Sequence, residues 1–412
     1  MKVWIFTAIL IVLNLISLVL GSFLDSYQLW ECVHFLALIQ ISGVLIAGLF
    51  SVVRRNSFFK IIGAFAACCL LMAIALFNLV IAGAKIAQLS QPETNRPSSV
   101  ILPDNLIDVR GQIHVHSCRS HDSKGTLEEI VKAAKTSGVR WIILTDHKAK
   151  YRPSVTLNGV LIIFGKESNW KSQGSYLRAP LRDDDCFRAY GHLEQFSDWK
   201  NNSEWDAIEI VNFHANARQK RGRLIKQLFL NPSSLNKELI YVLPENSCYW
   251  QALSEQKEKP IPIFAGTDAH SNFRIFGIQL DPYDWILRLA STHIFLESSA
   301  ELKEEAIIKA IKKGRTYVAF DVLGDPMGFQ FIAEAAGRRH LTGDTVNQPN
   351  KLIIKNPLTD GTEIMVFRNN RLVSKKADAA EIVIDDPQSG FWRVEIYRNG
   401  SLWILSGQIL VK

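Results

Sequence analysis

The sequence predicts a membrane-attached α/β protein. N-terminal transmembrane α-helices come first, then βα units around a parallel sheet or barrel, then a small C-terminal β-sandwich. Three observations predict this. Hydrophobic residues are 48% of the 412 and are concentrated in the first 84. Between 108 and 320 short β-branched runs alternate with helical patterns, and beyond Gly328 short alternating strands are separated by turn dipeptides. With 21% charged residues, the composition excludes a disordered or collagen-like chain. The six cysteines show no Cys-x-x-Cys spacing, so neither a disulfide framework nor a thiolate zinc site is expected.

Val3 to Leu24, Cys32 to Val53 and Ile61 to Ala84 contain no Asp, Glu, Lys or Arg. Each is about the 20 apolar residues that a helix needs to cross a hydrocarbon core. The chain is therefore expected to reach membrane lipid through residues 1–85. Arg54, Arg55 and Lys60 lie between the second and third stretches, whereas Asp25 and Glu31 lie between the first and second. The basic loop is expected to be cytoplasmic, which puts the soluble domain on the extracytoplasmic side. Gln88 to Leu102 is polar and holds two prolines, so residues 86–107 read as a linker.

Strands are expected at Val109 to His114, Trp141 to Thr145, Val160 to Gly165, Ala207 to Val211, Ile261 to Gly266, His293 to Leu296 and Thr316 to Phe320. Helices are expected at Leu127 to Ser137, Ala217 to Leu228, Tyr283 to Leu289 and Glu301 to Lys313. The next strands, from Phe329 to Leu405, are punctuated by Asn356-Pro357, Asp360-Gly361, Asn369-Asn370 and Asn399-Gly400. A β-sandwich is their natural packing.

His114, His116, Asp146, His147, Glu167, His214, Asp268 and His270 fall at or just past the C-terminal ends of apolar strands, where barrels of βα units build their sites. The candidate ligands are His114, His116, Asp122, His147, Glu167, His192, His214, Asp268 and His270. Imidazole and carboxylate without thiolate suit borderline to hard divalent ions such as Zn, Mn or Fe. In His114-Val115-His116 the two imidazoles sit two apart on a strand and share a face. Nine candidates exceed the needs of one ion, so two or three ions per chain are expected. A cluster of that kind lowers the pKa of a bound water toward about 7, and hydrolysis is its natural chemistry. Asp146 reads either as an orienting partner for an imidazole or as a cap of the next turn. Arg218, opening a basic run to Arg223, and Arg274 read as phosphate-binding guanidiniums or as solvated surface. Cys118 reads as a small buried side chain.

The run HVHSCRSHDSKGTLEEIVKAAKTSGVRWIILTDH, followed by Glu167, Gly-His-Leu at 191–193 and GTDAH at 266–270, resembles the polymerase and histidinol phosphatase (PHP) domain. The motifs GFQFIAEAAG, TGDTV and FWRVEIYRNGSLWILSGQILV in the tail are similar to those of carbaryl-hydrolase-like PHP metallohydrolases. The resemblance implies a distorted seven-stranded (β/α) barrel over 108–325, a sandwich over 326–412 and up to three metal ions. The nine residues named above would be the ligands, with Glu167 as the bridge. It assigns His114, His116, Glu167 and Asp268 to the catalytic centre. The family's Ser-Asp-Gly is here Ser120-His121-Asp122-Ser123, which leaves His121 and Asp122 as alternatives. The function so implied is a metal-dependent phosphoesterase acting on a small-molecule or nucleotide phosphoester, including 5′–3′ exonuclease-type substrates, with nucleic acid not favoured. The alternatives are carbamate or carboxylic ester hydrolysis, or a non-catalytic metal-binding sensory module. A net charge of +7 suits an anionic partner.

Overall fold

The computed structural model describes residue 12 and residues 27–53, 58–90, 99–169, 175–181, 186–195, 205–275, 278–298 and 300–412. These residues fall into two compact units. The first comprises Met1–Gln91, Lys220–Glu238 and Ile275–Leu280, and the second comprises the rest.

In the first unit, helix α1 (Tyr27–Val53) packs on helix α2 (Phe58–Leu89). Trp30 and Val33, at the start of α1, share a core with Ile81, Ala82 and Ile86, near the end of α2, so the two run antiparallel. Cys68–Leu89 is long and apolar enough to cross a membrane, and Leu29–Val44 is apolar but shorter. The expected span from Val3 to Leu24 lies outside the described residues, residue 12 excepted. The expected linker is shorter than its composition suggests, because α2 continues through Leu89 and a strand opens at Ser99. Ala84, Ala87 and Leu89 are strong helix formers and carry α2 past its uncharged run.

The second unit is mixed α/β. Strand β1 (Ser99–Leu102) turns back onto β2 (Leu106–Val115). Strands β3 (Trp141–Leu144) and β5 (Val160–Phe164) follow in parallel to β2, and β4 (Val155–Leu157) forms a hairpin with β5. Strands β6 (Lys166–Asn169), β7 (Ser175–Ala179) and β8 (Phe187–Gly191) form an antiparallel meander. Strands β9 (Ala207–Asn212) and β10 (Ile263–Ala269) resume the parallel order, and β10 pairs with β2. Hydrogen-bonded neighbours therefore run β5-β3-β2-β10-β9-β8-β7-β6, and only Gly165 separates β6 from β5 along the chain.

Helix Leu127–Thr136 starts at a capping box, in which the Thr126 side chain accepts from the Glu129 amide at 3.2 Å and Glu129 accepts from the Thr126 amide at 2.7 Å. Its Ile130, Val131, Ala133 and Ala134 pack on Val115, Ile142, Leu144 and Ile162. The alternate residues Ile113, Ile143 and Ile163 join Leu177, Phe187, Phe264, Ile307 and Ile311 in a second cluster. The sheet is thus apolar on both faces, as buried parallel strands require.

All seven expected strands are present within one to three residues. The expected helix from Ala217 to Leu228 is instead two helices, Phe213–Gln219 and Arg221–Leu230, broken at Lys220. Strands β6 to β8 were not legible, because SYLRA and FRAYG mix charge into short runs. Helix Pro244–Lys257 was missed for want of a continuous apolar stripe.

Two sheets follow. Strands Ser291–Glu297, Thr316–Ala319, Ser401–Ser406, Gly390–Arg398, Thr362–Arg368 and Arg371–Ala377 pair antiparallel in that order. The facing sheet orders Arg338–Leu341, Gln330–Ala335, Lys351–Lys355 and Glu381–Asp385. Phe331, Leu352, Ile354 and Ile382 from one sheet meet Val366, Trp392, Val394 and Trp403 from the other in a single core. The hairpins at Asn369-Asn370 and Asn399-Gly400 have positive φ at both turn residues, 48° and 61° in the first and 48° and 76° in the second. That is the conformation a two-residue hairpin needs and the reason these dipeptides signal it. Strand Ser291–Glu297 also pairs with the first half of β2, which joins both sheet systems through one strand.

Candidate metal centre

His114 and His116 end β2, Glu167 opens β6, His192 follows β8, and Asp268 and His270 close β10. Loops carry Asp122 and His147. His114 Nε2 lies 3.2 Å from both Glu167 Oε2 and Asp268 Oδ1, and His116 Nε2 lies 3.1 and 3.4 Å from the same two oxygens. His192 Nε2 is 3.6 Å from Glu167 Oε1 and 3.4 Å from Asp268 Oδ2. Asp122 Oδ2 joins His147 Nε2 at 3.0 Å to His270 Nε2 at 3.3 Å. The imidazoles of His116 and His270 stack with centroids 4.3 Å apart.

Three groups of donors, each within 4.8 Å of one another, emerge: His114, Glu167, His192 and Asp268; His116, Asp122 and His147; and His116, Asp268 and His270. His116 and Asp268 belong to two groups each. Glu167 Oε2 also lies within 3.5 Å of His147 Nε2, so Glu167 and Asp268 touch four imidazoles each, where the sequence pointed to Glu167 alone as the bridge.

Simple strand alternation does not explain this convergence. His114, His192 and Asp268 have φ of 65°, 52° and 50°, a region that non-glycine residues rarely occupy. The β2–β3 register shifts at His114 and the β2–β10 register between Gly266 and Ala269. Such irregularities re-aim side chains out of a sheet's normal alternation, and strained backbone of this kind concentrates at functional sites.

A buried acid that sequence reasoning passed over holds the inner wall. Glu209, on β9, accepts from His114 Nδ1 at 2.6 Å, from the His192 amide at 2.6 Å and from Asn212 at 3.1 Å. Its signal was a single charge inside the apolar run Ala207-Ile208-Glu209-Ile210-Val211. Glu194, 3.2 Å from His192 Nδ1, plays a comparable part, and His270 Nδ1 donates to the Asp268 carbonyl at 2.7 Å. In each case the other ring nitrogen, Nε2, is left toward the carboxylates.

The remaining expectations divide. Asp122, and not His121, enters a donor group; His121 is exposed, with its ring 4.9 Å from His147. His214, second residue of helix Phe213–Gln219, is exposed and joins none of the three groups, because the strand delivers Glu209 and Asn212 to the cluster while the helix has already begun. Arg218 and Arg274 are exposed. Cys118 is exposed and not buried as expected, since it lies in the loop after β2. Among the described residues, the Asp146 side chain hydrogen-bonds neither an imidazole nor the turn that follows it. Its carboxylate accepts from the Ser117 amide at 2.7 Å and the Ser117 hydroxyl at 2.8 Å, pinning the segment that follows His116.

Charge follows geometry. Burial opposes protonation of His114, but Glu209, Asp268 and Glu167 overrule it and raise its pKa well above the imidazole value. Burial is likewise outweighed at His116 by Asp268 and Glu167, and at His192 by Glu194, Asp268 and Glu209, so both are pulled up to about 9. Burial pushes Asp268 and Glu167 up, yet the surrounding imidazoles hold both well below the carboxylate range. Asp122 is brought down to about 2 against its burial by a Ser120 hydrogen bond and the His270, His116 and His147 rings.

Acids gathered this closely need cationic partners, and without bound cations only protons on the imidazoles can supply the charge. The buried Nε2 of His116 and Oδ1 of Asp122 lack well-directed hydrogen bonds. Nitrogen and oxygen donors, two shared residues and unsatisfied buried atoms all fit divalent ions. The α/β scaffold and this donor set define a metal-dependent-hydrolase type of protein. Residues 112–326 match the PHP domain family, and the chain belongs to that family. No curated protein and no solved structure matches the chain.

Proposed function

We propose that this chain is a membrane-anchored, metal-dependent phosphoesterase of the carbaryl-hydrolase-like PHP branch. The observation that carries the reading is the meeting of five imidazoles with Glu167, Asp268 and Asp122 inside the PHP match. The strand circuit through β2, β3, the bent β5–β6, β7, β8, β9 and β10 supports the distorted seven-stranded barrel. The sandwich and its tail motifs support the branch. Residues 1–85 are the anchor, 108–325 the catalytic domain and 326–412 the sandwich, and the basic loop of 54–60 favours an extracytoplasmic catalytic domain.

Two or three Zn, Mn or Fe ions would be held by the three donor groups, in which His116 and Asp268 each occur twice. When bound, such ions supply Lewis acidity and bring a water's pKa toward about 7. The residues do the rest. Glu209 fixes His114 from behind, Glu194 fixes His192, and Asp146 anchors the loop beyond His116. His147, His270, His192 and Asp122 are the partly exposed members, with side chains 15%, 13%, 12% and 31% accessible, so substrate enters on their side. Arg218 and Arg274 are the guanidiniums we propose for the substrate phosphate.

The test uses the full chain in detergent or nanodiscs, reconstituted with Mn or Zn and offered an aryl phosphate, an aryl ester and an aryl carbamate. Metal-dependent turnover of the phosphate, lost in Asp268→Asn and His116→Ala, is expected. Turnover of the ester or carbamate alone would replace the phosphoesterase reading. Stoichiometric metal binding without turnover of any of the three would favour a sensory module.

A further inference from the structure

Helix α2 is longer than a bilayer core needs. Its 32 residues rise about 48 Å, against roughly 30 Å of hydrocarbon. The uncharged run ends at Ala84, and Lys85 and Gln88 follow. At that level helix Arg221–Leu230, part of the same compact unit, comes against α2. A Cβ on Gly83 would lie 2.4 Å from the Leu228 carbonyl oxygen and 2.9 Å from Leu228 Cδ1, so only glycine permits the crossing. One turn further the contacts become polar: Asn236 donates to the Ala87 carbonyl at 2.9 Å and Gln88 to the Leu280 carbonyl at 3.2 Å. The change from apolar to hydrogen-bonded packing falls where a membrane-crossing α2 would leave the hydrocarbon.

Helix Arg221–Leu230 has an unusual outer surface. Leu224, Gln227, Leu228 and Phe229 are partly covered, whereas Arg221, Arg223, Ile225, Lys226 and Leu230 are exposed. Ile225 is 47% and Leu230 66% accessible. The chain has no acid between Glu209 and Glu238, and among the described residues no carboxylate pairs with Arg221, Arg223 or Lys226. Two large aliphatic side chains beside three cations make a poor water-facing surface. They suit a headgroup region, where aliphatic tips enter the acyl boundary and long cationic side chains reach phosphates.

We propose that helix Arg221–Leu230 lies in the membrane plane as an in-plane foot that binds anionic phospholipid. Ile225 and Leu230 contact the acyl boundary, and Arg221, Arg223 and Lys226 bind acidic headgroups. This rests on α2 being a membrane span.

The full chain reconstituted into phosphatidylcholine vesicles, or into vesicles also containing phosphatidylglycerol, separates the two claims. An anchored α2 keeps the chain floating with both kinds of vesicle after an alkaline carbonate wash. Amide hydrogen exchange in peptides covering 221–230 is expected to be roughly tenfold slower in the anionic vesicles, given three cations at the surface. The difference should fall as salt is raised. It should vanish in the triple variant Arg221→Glu, Arg223→Glu and Lys226→Glu, which still floats. Flotation with equal exchange in the two lipids overturns the in-plane helix alone. Loss of flotation from both overturns the anchor and the helix with it.

Discussion

Glu209 Oε1 sits 2.6 Å from His114 Nδ1, with both side chains fully buried. The contact fixes the ring from behind and commits Nε2 to the side where Glu167 and Asp268 wait at 3.2 Å. The same carboxylate takes the His192 amide, so one acid sets the position of two imidazoles in one donor group. Removing such a partner typically costs about 10–100-fold in metal affinity. Glu209→Gln, which keeps the shape and loses the charge, is expected to weaken Mn or Zn binding by that factor in competition with a chromophoric chelator, with circular dichroism unchanged. Wild-type affinity in Glu209→Gln would remove the orienting role.

The acid–imidazole cluster predicts how metal uptake depends on pH. His116 and His192 have pKa values of about 9 without metal, so both carry protons at pH 7 that an incoming ion must displace. Apparent affinity should rise with pH and level off above about 9. Calorimetry in buffers of different ionisation enthalpy should show proton release at pH 7. For the metal-free fold the sign is opposite: a raised imidazole pKa stabilises fully below the unfolded value of about 6.5 and is lost as pH climbs through about 9. Metal-free protein should therefore lose stability to urea between those two values. A flat profile in both experiments would mean the imidazoles are neutral.

The strand that supplies His114 and His116 also carries a buried ionic junction. Arg110 Nε is 3.2 Å from Asp321 Oδ1 and its Nη2 is 2.9 Å from Asp325, with Arg110 and Asp321 1% and 2% accessible. Beside them His293 Nδ1 meets Asp108 at 2.8 Å, and the Tyr317 hydroxyl donates to Asp108 at 2.6 Å. Removing one member of a buried pair leaves its partner's charge uncompensated, at a cost of about 3–5 kcal/mol. Arg110→Met should lower the urea midpoint accordingly. Lys303→Ala should leave it unchanged, since that ammonium meets Glu301 in open solvent. Equal effects from the two would show that burial is not what sets the cost.

Sequence patterns revealed the strands of the parallel order and most of the donors for related reasons. Apolar runs such as Trp141-Ile142-Ile143-Leu144 are buried on both faces, and the polar residues ending them stand out against that background. His114, His116, His147, Glu167, Asp268 and His270 stood out in this way, whereas Asp122 and His192 were picked out by motif resemblance, and the fold brings all eight together as possible donors. His214 looked equivalent because it too follows an apolar strand, but the chain is already helical there, and an exposed position on a first turn gives no sequence signal of its own. Glu209 was hidden by the opposite effect, a charge inside a strand whose partner is 95 residues away. The meander from Lys166 to Gly191 shows the same limit, since its strands are specified by pairing across the sheet more than by local composition.

Asp146 offers the last test, because it acts on the site without touching any donor atom. Its two oxygens take the Ser117 amide and hydroxyl in a pocket where the side chain is buried. His116 precedes Ser117, and the Ser120 hydroxyl lies 3.3 Å from His116 Nδ1, so the 117–120 turn backs the ring. Asp146→Ala would strand a buried amide and a buried hydroxyl, costing about 1–3 kcal/mol for each unsatisfied group. It would also free the segment that holds His116, which belongs to two donor groups. The expected outcome is a lower unfolding midpoint together with loss of about one metal equivalent by elemental analysis. Asp146→Asn, which keeps one acceptor oxygen, should restore the metal count more fully than the stability. If Asp146→Ala destabilises the protein and still retains its full complement of metal, the turn does not position His116.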